Sequence, residues 1–161
     1  MMPDGEIMML CKKSMEKLMV GEGREEKQNG KDFYKFFFSN HPEMRKYFKG
    51  AEGYTASDVQ SSERFEMQGQ RLLLACHMLV QVFEQRELFN AYVREILNKH
   101  DQFHMDPSLW MSFWTIFREF LDSKMKMEKR TTDAWMMFGD RFNNEAQKYI
   151  ATMRSSSRRA M

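Results

Sequence analysis

The sequence predicts an all-α protein, and three observations carry that prediction. Apolar residues recur near a period of 3.6 through most of the length, as on helices with one buried face. Helix breakers are scarce, with 3 prolines and 8 glycines in 161 residues. A composition 42% hydrophobic and 30% charged fits one globular domain with a core of useful size. We expect that domain over residues 1–153 and a disordered polar tail over 154–161.

The elements follow in order. Asp4 to about Val20 reads as a helix with Ile7, Leu10, Cys11, Met15, Leu18 and Met19 on one side, ended by Gly21. GEGREEKQNG reads as a polar connection, and Lys31 to about Asn40 as a second helix rich in aromatic residues. Pro42 starts a short helical turn, followed by the polar loop KGAEGYTASDVQSSE with Phe48 as a candidate core plug. Ser61 and Ser62 precede Glu63, the start of a long helix to about Phe83 whose inner row holds Phe65, Leu72, Cys76, Leu79 and Phe83. After the break EQRE, Glu87 to about Lys99 repeats the pattern at positions 88, 89, 92, 93, 96 and 97. Asp106-Pro107 suits a helix start, with aspartate as cap and proline at the first helical position, and the helix carries Leu109, Trp110, Phe113, Trp114, Phe117 and Phe120. Lys124 to Lys129 is a charged connector; Thr131 or Thr132 then caps a last helix with Trp135, Met136, Phe138, Phe142, Ala146 and Ile150.

Charge and cysteine usage narrow the partners. A formal net charge of +2 arises from 25 basic and 23 acidic residues that interleave along the chain. That pattern gives no basic stripe for a phosphate backbone, so nucleic acid is not an expected partner. The start MMPDGEIMMLCKKSMEK mixes charges into its apolar residues and does not read as a signal peptide, and no membrane span is expected. Cys11 and Cys76 each fall on the apolar side of a helix as free, buried thiols, which suits a reduced, cytoplasmic setting. The 17 methionines lie mostly at apolar helical positions and read as core filling.

Chemistry concentrates at a few positions. Gln68 falls in the dry row of its helix, where an amide costs free energy unless it has a partner. Gly69 beside it costs about 1 kcal/mol against alanine in a helix, which a closely passing backbone would explain. Gly30 is the matching candidate: if the two glycines cross, Tyr34 lies one turn further on the same face, close to Gln68 or Leu72. Two readings stand, a ligand pocket with two polar tips or a satisfied core pair. His100 follows Ile96 by four residues and Leu97 by three, so its imidazole faces the helix's apolar side, either as a metal ligand or as a cap or satisfied core group. His41, His77 and His104 read as partly exposed, and no histidine has HExxH or Cys/His zinc spacing.

HPEMRKYF (41–48), QGQRLLLACH (68–77), NKH (98–100) and MDPSLW (105–110), with the glycine pair, occur in an order that resembles the globin family, nematode globins above all. The resemblance covers roughly residues 5–153. It implies the globin fold of about seven to eight helices around one haem, with haem b held without covalent attachment, since CxxCH is absent. It implies His100 as the proximal ligand of iron, with nearby His104 as a minor rival, and Phe48 stacked on the porphyrin. Gln68 stands where many globins have a distal histidine, and with Tyr34 it would hydrogen-bond to bound dioxygen. Leu72 would flank the gas, Ile96, Met105, Leu109 and Phe113 would line the macrocycle, and Arg71 would reach a propionate. The implied function is reversible binding of dioxygen and other diatomic gases, for storage or transport, with a homodimer as one assembly state. The alternatives are a nitric oxide dioxygenase, a peroxidase or a gas sensor; no flavin or nicotinamide motif accompanies the chain.

Overall fold

A computed structural model describes residues 1–160. The described residues form seven α-helices: α1 (Asp4–Met15), α2 (Arg24–Asn40), α3 (Ala56–Gln60), α4 (Glu63–Gln81), α5 (Arg86–His100), α6 (Leu109–Lys124) and α7 (Lys129–Ala160). Short 3-10 helices at Pro42–Tyr47 and Asp101–Phe103 complete the set, and no strand occurs among the described residues. The fold class is therefore all-α. The chain divides into two compact units, Lys12–Gln81 and Met1–Cys11 with Val82–Met161.

In the unit Lys12–Gln81, α2 and α4 cross at the glycine pair. A Cβ added to Gly69 would stand 2.6 Å from the Gly30 Cα, and one added to Gly30 would stand 2.8 Å from the Gln70 amide nitrogen. Only two hydrogens fit there, which explains a mid-helix glycine on both sides. Beyond the crossing, Phe33, Tyr34, Phe37 and Phe38 of α2 and Phe65 of α4 are buried. Helix α2 begins seven residues before the expected Lys31, so most of the polar connection is its first turns. Glu25 and Glu26 favour that start by complementing the helix dipole. The loop after Phe48 also holds a helix that periodicity did not suggest, because α3 is too short to show a period. Its start is a capping box in which the Thr55 hydroxyl accepts from the Asp58 amide (3.2 Å) and the Asp58 carboxylate accepts from the Thr55 amide (2.8 Å).

Helix α1 stops at Met15 rather than Val20. Tight bonds take over, with the Leu18 amide donating to Met15 O at 3.0 Å. The carbonyls released there find side chains: His77 Nε2–H donates to Leu18 O (2.8 Å) and Asn29 Nδ2–H to Met19 O (3.0 Å), while the Gly21 amide donates to Gln70 Oε1 (2.7 Å). Gly21, at φ +155, closes the segment.

In the other unit, Phe83 stacks on Phe138 at 5.1 Å and meets Phe89 edge-on at 5.4 Å. Gly139 lets α7 lie against α6, since a Cβ there would stand 2.8 Å from the Trp114 Cβ. The start of α1 is clasped to α7 by Asp4–Arg141 (2.9 Å) and by Glu6–Arg130. The Asp4 carboxyl is held below the ordinary carboxylate range by its hydrogen bond from Arg141, whose charge adds to the effect with that of Arg86, against the opposing cost of burial.

Several sequence expectations shift. Asp106 closes a turn instead of capping a helix: its carboxylate accepts from the Ser108 amide (2.9 Å) and hydroxyl (2.6 Å), and α6 starts three residues later at Leu109. Thr131 and Thr132 lie inside α7, which starts at Lys129. Met19, Leu88 and Met136, placed on inner faces, are exposed. Residues 154–160, expected as a disordered tail, continue α7, and Met161 lies outside the described residues. Cys11 and Cys76 are free and buried. No described helix is long and apolar enough to cross a membrane.

Candidate functional site

His100 is the last residue of α5. Its Nδ1 lies 2.8 Å from the carbonyl oxygen of Ile96, one turn back. A carbonyl only accepts, so Nδ1 carries the proton and, in the neutral ring, Nε2 keeps a lone pair for a ligand. The ring is held edge-on by Trp110 at 5.2 Å and by Phe103 at 5.8 Å. Ile96, Met105, Leu109 and Phe113 are half-buried in the same unit, and Phe113 stacks on Phe117 at 5.9 Å. Two bonds fasten the segments flanking the histidine to α7: Gln147 Nε2–H donates to Pro107 O (3.0 Å) and the Tyr149 hydroxyl to Asn98 Oδ1 (2.8 Å). His104 is exposed in a left-handed conformation at φ 48, unlike the pinned ring of His100.

Trp110 is the site neighbour that sequence reasoning assigned only to the core. Ten residues and an irregular turn separate it from His100, so no helical spacing links them. Its place one residue after Leu109, already a candidate pocket residue, was the available signal.

The unit Lys12–Gln81 contains the other group. Tyr34 is buried at 4% exposure within a nest of Phe33 (5.3 Å), Phe38 (5.7 Å), Phe48 (5.6 Å) and Phe65 (5.0 Å). The Gln68 side chain lies near enough to the Tyr34 hydroxyl to influence its titration, one of the two placements that the glycine crossing allows. Burial pushes the phenol's pKa up, opposed by the Gln68 side chain and by the charge of Arg64, with Cys76 adding slightly to the rise. Tyr34 therefore stays protonated and remains an O–H donor throughout the physiological range. Phe48 and Leu72 are half-buried, with Leu72 one turn after Gln68, and Arg71 is exposed on the same helix.

An imidazole with one nitrogen pinned and the other free, beside half-buried apolar side chains, is a donor set that haem iron accepts. The residues present thus fit that group.

Comparison with known proteins is consistent with these features. Residues 31–146 match the family described as Globin. A globin-like protein of Caenorhabditis elegans is 50% identical over 145 residues, 90% of this chain and 91% of that one. A myoglobin of Nippostrongylus brasiliensis is 48% identical over 124 residues, 77% of this chain and 80% of that one. The solved structure of the C. elegans globin-like protein GLB-1 superposes with a TM-score of 0.94 at 47% identity, over 96% of this chain and 98% of that chain. The protein belongs to the globin family and is similar to its nematode members.

Proposed function

We propose that this globin holds haem b non-covalently through His100 and binds dioxygen reversibly and with high affinity, for storage or transport, with residues 1–153 acting as one domain. The observation that carries the reading is the His100 imidazole, pinned at Nδ1 by the Ile96 carbonyl at 2.8 Å and left with Nε2 for a ligand. Haem held by one imidazole supplies an open coordination position for a diatomic gas. Everything else is the work of the chain. His100 offers Nε2 with its ring orientation set by the Ile96 carbonyl. Phe48, Leu72, Ile96, Met105, Leu109 and Phe113 exclude water, and Arg71 pairs with a propionate.

Tyr34 and Gln68 offer an O–H and an N–H to a gas that accepts hydrogen bonds. Each bond contributes about 1–2 kcal/mol in a dry site, and about 1.4 kcal/mol is tenfold in an equilibrium constant. Slow oxygen release follows, with a smaller gain for the less polar carbon monoxide. The two free, buried thiols suit a cytoplasmic setting, checked by cell fractionation.

The test is the absorption spectrum of the haem-loaded protein, reduced without oxygen and then exposed to air. A five-coordinate reduced form that converts reversibly to a long-lived oxygenated form is expected. Rapid oxidation in air, or a six-coordinate reduced form, contradicts the reading. Tyr34→Phe should release oxygen about ten-fold faster; a change under about two-fold removes Tyr34 from the role.

A further inference from the structure

We propose that Trp110 is an electron donor to the haem side of this site, a redox-active residue reached through the His100 imidazole. The inference rests on haem ligation by His100. All 3 tryptophans of the chain lie in one aromatic path. It runs from His100 to Trp110 (5.2 Å), to Phe142 (5.8 Å), to Trp114 (5.2 Å) and to Trp135 (6.3 Å, stacked at 21°).

Indole is among the most readily oxidised side chains, and of the three Trp110 is the one in ring contact with the ligand imidazole. Environment separates them further. Trp114 and Trp135 are 4% and 3% exposed, and their indole N–H groups are buried without a hydrogen-bond partner. A positive charge placed there finds neither water nor acceptor, and such burial is expensive. Trp110, at 9% exposure, sits at the edge of this core, so the oxidised state rests on it.

The chemistry balances with hydrogen peroxide as oxidant. Taking up two protons and two electrons, peroxide leaves as two waters; cleavage of its O–O bond is the chemistry that haem held by His100 would supply. Trp110 would deliver one of the two electrons from its π system and become an indole radical cation. An external one-electron reductant such as ascorbate refills Trp110 and supplies the second electron.

The experiment uses the ferric, haem-loaded protein, its His ligation verified by absorption spectrum, mixed with hydrogen peroxide and freeze-quenched for electron paramagnetic resonance. We expect an organic radical whose hyperfine pattern narrows when the protein carries ring-deuterated tryptophan. That signal disappears in Trp110→Phe and persists in Trp114→Phe. Trp110→Tyr replaces it with a tyrosyl signal, which locates the radical even if Trp110→Phe folds poorly, while the label in the wild type shows that it is an indole. A haem-loaded protein that consumes peroxide and yields only a tyrosyl radical, or an indole radical unchanged in Trp110→Phe, overturns the relay and leaves haem ligation standing. Failure to take up haem, visible before peroxide is added, overturns both.

Discussion

Gly69→Ala tests the helix crossing that brings Tyr34 to Gln68. The added Cβ would stand 2.6 Å from the Gly30 Cα. Unbonded carbons keep roughly 3.5–4.0 Å apart, so α2 and α4 must separate by about 1 Å. Two effects oppose one another. Alanine favours a helix interior over glycine by about 1 kcal/mol, whereas overpacking costs about 1–3 kcal/mol. The obstacle here is backbone, with no flexible side chain to swing aside, so the upper end applies and the net loss is about 2 kcal/mol. Urea unfolding measures it as a lower midpoint at unchanged slope. In the haem-loaded variant, oxygen release should also quicken, because the separation moves Tyr34 relative to Gln68. A Gly69→Ala protein as stable as the wild type would refute the close crossing.

Other expectations can be checked alongside. His100→Gly should abolish the His-ligated haem spectrum, and free imidazole added to the solution should restore it if the histidine acts as a ligand and not as a core group. Asp4→Asn should lower stability at neutral pH. Because the folded carboxyl titrates below its unfolded counterpart, the Asp4 contribution is complete above the ordinary carboxylate value and disappears as pH falls through the depressed one. Wild type and variant should therefore converge in acid unfolding curves. Thr55→Ala should cost about 1 kcal/mol through the lost cap, with faster amide exchange over residues 56–60.

The parts of the fold legible in the sequence were those with a strong local rule. The long rows of α4, α5 and α6 follow the helical period, and the Gly30–Gly69 crossing follows from the cost of glycine inside a helix. That same glycine misled at α2: Gly30 read as a boundary, although it lies mid-helix because Gly69 passes it. Helix α3 carried its signature in Thr55 and Asp58, hidden in a stretch too polar to show a period. Asp106-Pro107 was ambiguous, since aspartate closes a turn on Ser108 with the same chemistry by which it caps a helix. At the site, the nearness of Tyr34 to Gln68 was legible from helix geometry, with a bonded core pair as one of the two readings that the sequence allowed. The Trp110–His100 contact spans an irregular turn, where no periodicity operates.

The segment between α1 and α2 is latched by His77, Asn29 and Gln70, and none of these three bonds needs a charge. The Leu18 carbonyl asks only for the Nε2–H of His77, which the imidazolium also carries. Acid therefore leaves that latch shut, and salt has no ion pair there to screen. The Asp4–Arg141 clasp onto α7 behaves differently, since salt screens it and acid removes it once the pH falls through the depressed Asp4 value. Strong acid or high salt should thus loosen the beginning of α1 while the segment after it stays latched, so that the first helix frays from one side only.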